Sequence, residues 1–313
     1  MRHALDNRLD RRAVMRGAAF AGLSALLTPG LAYALAAPGD PVKNLRAFAE
    51  RWVGPGKLPG MVIALGAPGQ QTQYIARGTE GFTDADVMTP DTLFRIYSMT
   101  KPVTGMATML LIDEGKLGLD QPLSDILPKF AKMQVQVTPD GSITDLKPAK
   151  AQITIRHLLT HTSGLAYGII QKGPIREALM AKGLVPGQVS RLQIPSLSRG
   201  THVQGLQAFT DGMAQMPLVY EPGTHWSYGP GLDVLGHVIE VVTGQPFEVF
   251  LKERLFDPLG MASTWFQVPR SQARRLATNY GVLGGKLVPV DGGADSIYLD
   301  KPPFPFGGAG LVS

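Results

Sequence analysis

Apolar residues recur at helical spacing in three segments of the chain. The first segment predicts a helix over residues 41–52, with Asp40 as its N-cap. The apolar face expected for this helix consists of Val42, Leu45, Phe48 and Trp52. A second helix is predicted over residues 102–115, and a third begins at Pro230 and stops at Gly244.

The second and third helices differ in the residues expected on their buried faces. Methionine is prominent in the second helix, and its flexible side chain commonly fills irregular gaps in a core. The apolar positions of this helix include Val103, Met106, Met109 and Leu110. The third helix carries a regular aliphatic stripe of Leu232, Leu235, Ile239 and Val242. Both sets are predicted to face the core.

Short apolar runs between turn residues predict strands rather than helices. These runs cover residues 60–66, 72–76, 93–97, 277–280 and 286–290. Residues 133–143 predict a hairpin that turns at Pro139-Asp140-Gly141. Thr154 is expected to cap a short helix, and the many glycines and prolines of residues 168–205 predict a long irregular excursion.

The composition indicates a globular chain without thiol chemistry. The 313 residues are 44% hydrophobic and 18% charged and include no cysteine, which excludes disulfides, thiol catalysis and cysteine-ligated metals. The formal charge is +5, but residues 1–34 contribute five arginines against two acids. Removing them leaves 25 basic and 23 acidic residues, a net charge of +2, which gives no reason to expect nucleic-acid binding.

The N-terminus resembles a twin-arginine export signal. Arg11-Arg12 precedes a short apolar run over residues 17–27, and Ala32-Tyr33-Ala34 offers a small-x-small cleavage site, with Ala34-Leu35-Ala36 as an alternative. The apolar run is too short to favour a membrane span. Residues 1–34 are therefore predicted to be a signal peptide. The mature protein, residues 35–313, is predicted to be periplasmic or secreted, without stable membrane association.

Ser98 is the only serine in the chain with a lysine three residues downstream. Positions i and i+3 share a face of a helix, so the Ser98 hydroxyl is expected to point towards the Lys101 amine. The helix N-terminus also favours a developing oxyanion. A serine hydroxyl needs a base or an amine to remove its proton, so this pair is a candidate nucleophile and activator. The alternative interpretation is that the serine only caps the helix and the lysine is exposed to solvent, because such a pair has the same spacing.

Tyr228 immediately precedes the third predicted helix. A cation such as Lys101 beside the phenol would favour the phenolate, which could accept the Ser98 proton. A half-buried packing tyrosine fits the same position. His157 and His161 have the i, i+4 spacing of a metal pair, but the glutamate of a zinc-protease motif is absent, so no metal site is expected.

Six segments, in this order along the chain, resemble the serine β-lactamase-like superfamily, in particular class C β-lactamases and family VIII carboxylesterases. The segments are residues 98–104, 155–165, 222–228, 232–236, 256–261 and 306–313. The resemblance implies that Ser98 is the acyl-forming nucleophile, Lys101 its activator and Tyr228 the general base. It implies no cofactor.

The resemblance also implies an α/β fold of the α+β type. In this fold an antiparallel sheet is flanked by helices, and a helical lobe is inserted after the nucleophile, over about residues 102–265. The implied function is an exported serine hydrolase that acts on an ester, or an amide, of a small molecule through a Ser98 acyl-enzyme. A β-lactamase or D-alanyl-peptide hydrolase would use the same residues. A non-catalytic binding protein or an inactive fragment is the remaining alternative.

Two departures from the family pattern change these expectations. In β-lactamases of this type the tyrosine opens a Tyr-x-Asn element, whereas Pro230 occupies the third position here. Esterases of the family tolerate the replacement, which favours an esterase. The chain also stops at Ser313, inside a family segment. The C-terminal strands, one of which supplies a backbone donor to the oxyanion hole, are therefore expected to be missing. Phe306-Gly307-Gly308 is not expected to supply this strand, because the residues around it resemble a flexible, Gly-rich segment that precedes the strand in the family sequence.

Overall fold

The computed structural model describes residues 42–192 and 202–313, which belong to two compact units that meet in sequence between Pro90 and Asp91. The predicted signal peptide and the N-cap Asp40 lie outside the described residues and stay predictions. Residues 193–201 of the predicted irregular excursion lie outside them as well.

The first unit combines one helix with a two-stranded sheet. Helix α1 spans Lys43–Trp52, strand β1 spans Gly60–Leu65 and strand β2 spans Gln73–Gly78. The strands are antiparallel, with Ile63 opposite Ile75. The predicted helix and the two predicted strands are therefore confirmed, with boundaries shifted by one or two residues.

The buried face of α1 differs from the predicted one. Val42 and Ala49 are buried and pack with Ile75, whereas Phe48 and Trp52 are 48% and 47% exposed. The two aromatic rings instead contact each other along the helix, with centroids 6.1 Å apart. Ala49 faces the sheet because a small side chain lets the helix lie close to the strands.

The second unit contains most of the helices in the described residues. They are α2 (Thr100–Asp113), α3 (Ile155–Leu159), α4 (Gly173–Ala181), α5 (Leu206–Ala214), α6 (Gly231–Thr243) and α7 (Phe247–Leu251). A π-helical turn, Lys252–Phe256, follows α7. The strands are β3 (Gln134–Gln136), β4 (Leu146–Pro148), β5 (Asn279–Leu283) and β6 (Lys286–Asp291). They form two separate antiparallel pairs, β3 with β4 and β5 with β6.

Helix α6 packs against α2, α3, α5 and α7 in the main core. Pro230 occupies its N-cap position, and Gly244 ends it in the left-handed conformation at φ +69°. The predicted aliphatic stripe is buried at Leu232, Leu235 and Ile239 and partly buried at Val242. The apolar pattern therefore predicts both the limits and the buried face of this helix.

Among the described residues, no single helix is long and apolar enough to cross a membrane. Helix α6 and the segment Phe247–Phe256 satisfy the length and composition of a span only as a pair, and the break between them bends by 84°.

The buried face of α2 is built from threonine rather than methionine. Thr100, Thr104 and Thr108 are fully buried, whereas Met106 and Met109 are 53% and 46% exposed. The prediction that these methionines fill the core is therefore wrong. Threonine suits this face because its hydroxyl can form hydrogen bonds to the backbone packed there, which a methionine thioether cannot donate.

Several other assignments from the sequence need correction. Residues 93–97 do not form a strand, because Leu93 and Arg95 make only isolated bridges before the chain enters a 3₁₀ turn. The stretch predicted to be irregular contains α4, whose first turn accommodates Pro174. The predicted hairpin exists as β3 and β4, with a longer loop in which Asp140 has a φ of +58°.

Candidate active site

Ser98 lies in the tight turn that leads into α2. The 3₁₀ turn Tyr97–Met99 is followed directly by the 14 residues of α2, so Ser98 lies at the positive end of the helix dipole. Tyr97 has a φ of +43°, which a bulky residue rarely adopts. Its hydroxyl accepts a hydrogen bond of 2.7 Å from the Asn279 amide, and its ring meets Tyr298 edge-on with centroids 6.5 Å apart. These contacts hold the strained turn in place.

A buried ion pair supports the chain just before this turn. Arg95 Nε donates to Asp291 Oδ2 at 2.7 Å, and both side chains are almost fully buried. Arg95 also donates to Ser296 Oγ at 2.9 Å and to the Ala277 carbonyl. Ser296 Oγ in turn donates to the Asp291 carboxylate at 2.6 Å. Both charges are therefore paired and hydrogen-bonded, as a stable buried ion pair requires.

The three residues singled out for catalysis come together in the structure. The Tyr228 hydroxyl oxygen lies 2.7 Å from Ser98 Oγ, and Lys101 Nζ lies 3.3 Å from the same atom. Lys101 Nζ also lies 4.6 Å from the centroid of the Tyr228 ring. Ser98 is exposed, whereas Lys101 and Tyr228 are half-buried. A carbonyl carbon can therefore approach the serine oxygen while two groups able to exchange protons lie beside it.

The Lys101 ammonium group is held by the backbone of a distant segment. It donates a hydrogen bond of 2.7 Å to the Gly308 carbonyl, and Gly308 N–H donates to Asp233 Oδ1 at 2.9 Å. Asp233 lies in the first turn of α6, where burial raises the pKa of its carboxyl to about 6. The Gly308 hydrogen bond and the Lys101 charge oppose this rise. A chain of contacts thus runs from Asp233 through Gly308 to the amine.

The Gly-rich segment around Gly308 packs on the threonine face of α2. Thr104 Oγ1 donates to the Gly307 carbonyl at 2.7 Å, and Leu311 N–H donates to Thr100 Oγ1 at 3.1 Å. A Cβ on Gly307 would lie 2.4 Å from a backbone carbonyl oxygen of α6, so the close approach requires glycine. Two successive glycine carbonyls are therefore directed at α2, one at Thr104 and the next at the lysine.

Tyr228 lies at the entrance to α6, between two other rings. The ring centroid of His161 is 4.8 Å from that of Tyr228, and the centroid of Tyr167 is 5.8 Å from it. Burial and, secondarily, the charge of Lys101 lower the pKa of His161, so its imidazole is neutral at neutral pH. The two rings restrict the position of the Tyr228 ring.

His157 has a structural role at the start of α3. The Thr154 side chain accepts a hydrogen bond from His157 N–H, and His157 Nδ1 accepts one from Thr154 N–H. The predicted cap at Thr154 is therefore confirmed. Within residues 42–192 and 202–313, no group of three or more histidine, aspartate or glutamate side chains is placed to hold a metal ion.

Sequence reasoning does not identify Asp233 or Gly308 as part of the site. Asp233 has a recognisable signal, because it is a carboxylate beside the apolar stripe of α6, and buried carboxylates cluster at functional sites. No local pattern connects Gly308 with Lys101. Only the packing of the Gly-rich segment on α2 brings them together.

Helices together with small antiparallel sheets, and a serine, a lysine and a tyrosine that meet at a helix N-terminus, are the features of the serine β-lactamase-like fold class. The chain belongs to the beta-lactamase family, whose family model matches residues 43–313. The match includes all three residues of the candidate site. The predicted resemblance and the α/β fold class are therefore confirmed.

Similar proteins include an esterase and a solved hydrolase structure. Esterase EstB of Burkholderia gladioli is 31% identical over 299 residues, which are 90% of this chain and 67% of that protein. Uncharacterized protein MT1414 of Mycobacterium tuberculosis is 38% identical over 203 residues, covering 64% of this chain and 46% of that protein. The structure of EstCE1, described as a hydrolase with promiscuous acyltransferase activity, matches with a TM-score of 0.68 and 28% identity. The match covers 87% of this chain and 68% of EstCE1. The chain thus spans about half the length of the mycobacterial relative.

Proposed function

We propose that the protein is a serine hydrolase that cleaves esters of small molecules through an acyl-enzyme on Ser98. The observation that carries the proposal is the position of Ser98 Oγ, 2.7 Å from the Tyr228 hydroxyl and 3.3 Å from Lys101 Nζ. This arrangement supplies a nucleophile, a proton acceptor and a cation within one small volume. Similarity to the esterase EstB supports the choice of an ester bond.

The acylation step follows from this geometry. Ser98 Oγ attacks the ester carbonyl carbon while its proton passes to the Tyr228 phenolate, which the Lys101 ammonium stabilises. The N-terminus of α2 stabilises the oxyanion of the tetrahedral intermediate. The carbon–oxygen bond to the alcohol then breaks, and the alcohol leaves with the proton from Tyr228. An acyl group remains on Ser98.

Deacylation uses the same groups in the reverse sense. Tyr228 takes a proton from water, and the hydroxide attacks the acyl carbonyl carbon. The bond to Ser98 Oγ breaks, the carboxylic acid leaves, and Ser98 recovers its proton from Tyr228. The enzyme returns to its starting state without a change in oxidation state.

Esters are favoured over β-lactams because of Pro230. The residue lies at the N-cap of α6, at the position where β-lactamases of the resembled type carry an asparagine, and it offers neither a side-chain amide nor an N–H donor. A β-lactamase or D-alanyl-peptide hydrolase is the alternative. Turnover of p-nitrophenyl butyrate, nitrocefin and penicillin under the same conditions distinguishes the proposed esterase from this alternative. Faster turnover of nitrocefin or penicillin would favour the alternative.

Acyl transfer to an alcohol is a second candidate function. EstCE1 is described as having promiscuous acyltransferase activity. Hydrolysis and transfer share the acyl-enzyme and differ only in whether water or an alcohol attacks it. Addition of methanol to the ester assay tests this candidate. Formation of the methyl ester at the expense of free acid supports transfer, and free acid alone argues against it.

Labelling with a fluorophosphonate tests the proposed nucleophile. The serine oxygen displaces fluoride and forms a bond to phosphorus, so the wild-type protein is expected to be labelled at Ser98. Ser98→Ala is expected to lose labelling and ester turnover while keeping its thermal midpoint. Ser271→Ala, at an exposed serine in the 3₁₀ turn Arg270–Arg275, is the matched control. An unlabelled, inactive but folded wild-type protein would favour a non-catalytic binding role.

A further inference from the structure

His161 bonds to the chain on both sides of Tyr228. Its backbone carbonyl accepts a hydrogen bond from Ser227 N–H at 2.9 Å, and its ring atom Nδ1 accepts one from Gly229 N–H at 3.2 Å. We propose that His161 is a positioning residue that directs the Tyr228 hydroxyl at Ser98. This inference rests on the proposed hydrolase function, because it assigns a purpose to the orientation of the general base.

The backbone conformation of His161 makes the double contact possible. Its φ is +57°, in the left-handed region that histidine, asparagine and aspartate adopt more readily than other residues with a side chain. Thr160 caps α3 just before it, and Thr162 N–H donates to the His157 carbonyl at 2.9 Å just after it. The turn is therefore anchored at both ends. From this turn, the carbonyl and the ring of one residue reach residues 227 and 229.

The imidazole ring also contacts the tyrosine directly. The His161 and Tyr228 ring centroids are 4.8 Å apart, and Trp226 meets the His161 ring edge-on at 6.1 Å. The backbone bonds fix the chain around the tyrosine, and the rings restrict sideways movement. Because the Tyr228 hydroxyl lies 2.7 Å from Ser98 Oγ, a shift of about 1 Å would take the contact out of hydrogen-bond range.

The bond from Gly229 requires a neutral imidazole whose Nδ1 carries no proton. Burial, assisted by the charge of Lys101, lowers the pKa of His161 and favours this form. The ring proton is then on Nε2. His161 transfers no proton in this proposal, because its acceptor atom already binds the backbone.

Two substitutions at His161 separate positioning from packing. His161→Leu keeps apolar bulk but removes the acceptor, whereas His161→Asn places Oδ1 near the position of Nδ1 and tolerates the left-handed backbone. In His161→Leu, kcat for p-nitrophenyl butyrate is expected to fall about 10²-fold with little change in KM, because a misplacement of about 1 Å costs that much. His161→Asn is expected to recover most of this loss. His225→Leu, at an exposed histidine nearby, is the matched control.

Each outcome of this comparison decides the proposal. A low kcat in His161→Leu together with recovery in His161→Asn supports positioning by His161, through its left-handed backbone and its side-chain acceptor together. Equal kcat in the two variants would overturn the positioning role. If both variants are impaired equally, the His161 ring contributes by packing. If both match the wild type, His161 does not affect catalysis.

Hydrogen exchange of the wild-type chain provides a test that does not depend on the variants folding. The amides of Ser227 and Gly229 are expected to exchange at least about tenfold more slowly than an unstructured peptide. Unprotected exchange at Gly229 would overturn the inference. Fluorophosphonate labelling of the same sample tests the hydrolase separately. A protected Gly229 amide in a chain that is not labelled at Ser98 would overturn the proposed function while supporting the His161 bond.

Discussion

Lys101 Nζ donates a hydrogen bond of 2.7 Å to the carbonyl oxygen of Gly308, which lies 207 positions further along the chain. The direction of the amine therefore depends on a backbone segment outside the local Ser98–Lys101 motif. Gly308 N–H in turn bonds to the buried Asp233 carboxylate at 2.9 Å. The amine geometry thus follows from the packing of α2, α6 and the Gly-rich segment.

Gly308→Ala should impair catalysis by disturbing this relationship. The added Cβ would lie 2.6 Å from Asp233 Oδ2, so the carboxylate or the Gly308 backbone must move. We expect ester kcat to fall by about 10- to 100-fold, measured by steady-state kinetics. Gly105→Ala on α2 is the control, because its Cβ would meet only Leu159 at 3.9 Å. A Gly308→Ala variant with wild-type kcat would show that the contact does not orient the amine.

Tyr228→Phe should keep the fold and lose most acylation. The ring contacts with His161 and Tyr167 survive, but the oxygen 2.7 Å from Ser98 is removed. Loss of a general base reduces the rate by about 10²–10⁴, which the rate of fluorophosphonate labelling can measure. Tyr220→Phe serves as the control for hydroxyl removal. Labelling slowed by less than about threefold in Tyr228→Phe would assign proton transfer to Lys101 instead.

Asp233→Asn should stabilise the protein increasingly as the pH rises. Burial raises the Asp233 pKa from 3.8 to about 6, so the folded state binds its proton more tightly than the unfolded state. The stability that this tighter proton binding contributes is fully present below about pH 4. It is lost as the pH rises through about 6. Asparagine cannot ionise and avoids the cost of a buried charge.

Urea unfolding of the wild type and Asp233→Asn between pH 4 and pH 7.5 measures this effect. The difference in unfolding free energy should shift in favour of the variant by up to about 3 kcal/mol across the window. Comparison at each pH removes the contribution of every other titrating group. A difference that stays constant, or that shifts towards the wild type, would contradict the buried ionisation.

Arg95→Met should strongly destabilise the fold. It leaves the Asp291 carboxylate buried without its cation, which costs about 3–5 kcal/mol in unfolding free energy. Arg156→Met is the matched control, because Arg156 pairs with Asp120 at the surface and its loss should have little effect. Denaturant melts of both variants test the contrast. Similar midpoints for the two variants would show that the buried pair contributes no more than the exposed one.

We propose that the protein is exported by the twin-arginine route, on the basis of Arg11-Arg12 and the apolar run that follows. Replacing both arginines by lysine should stop export, because the route recognises the arginine pair rather than its charge. Cell fractionation and the size of the mature band measure the result. Arg2→Lys with Arg8→Lys, outside the pair, is the control. Unchanged periplasmic recovery in the first variant would indicate another route.

Local sequence is sufficient to predict the features that arise between near neighbours. The aliphatic repeat of α6 places its start at Pro230 and its end at Gly244, and Thr154 caps α3 as its side chain predicts. The i, i+3 spacing of Ser98 and Lys101 likewise brings hydroxyl and amine to 3.3 Å. Local backbone geometry is sufficient in each case. The sequence offers Tyr228 as a candidate proton acceptor, but local spacing does not place it beside Ser98, from which it is 130 positions away.

Tertiary structure decides which faces are buried and which distant groups meet. Hydropathy alone predicts that Met106 faces the core, but α2 buries threonines because the glycine backbone packed there needs hydrogen-bond partners. The contact of Gly308 with Lys101, and the two bonds from His161 around Tyr228, join segments that are remote in sequence. No periodicity encodes such contacts, since they depend on how completed helices and loops pack together in space.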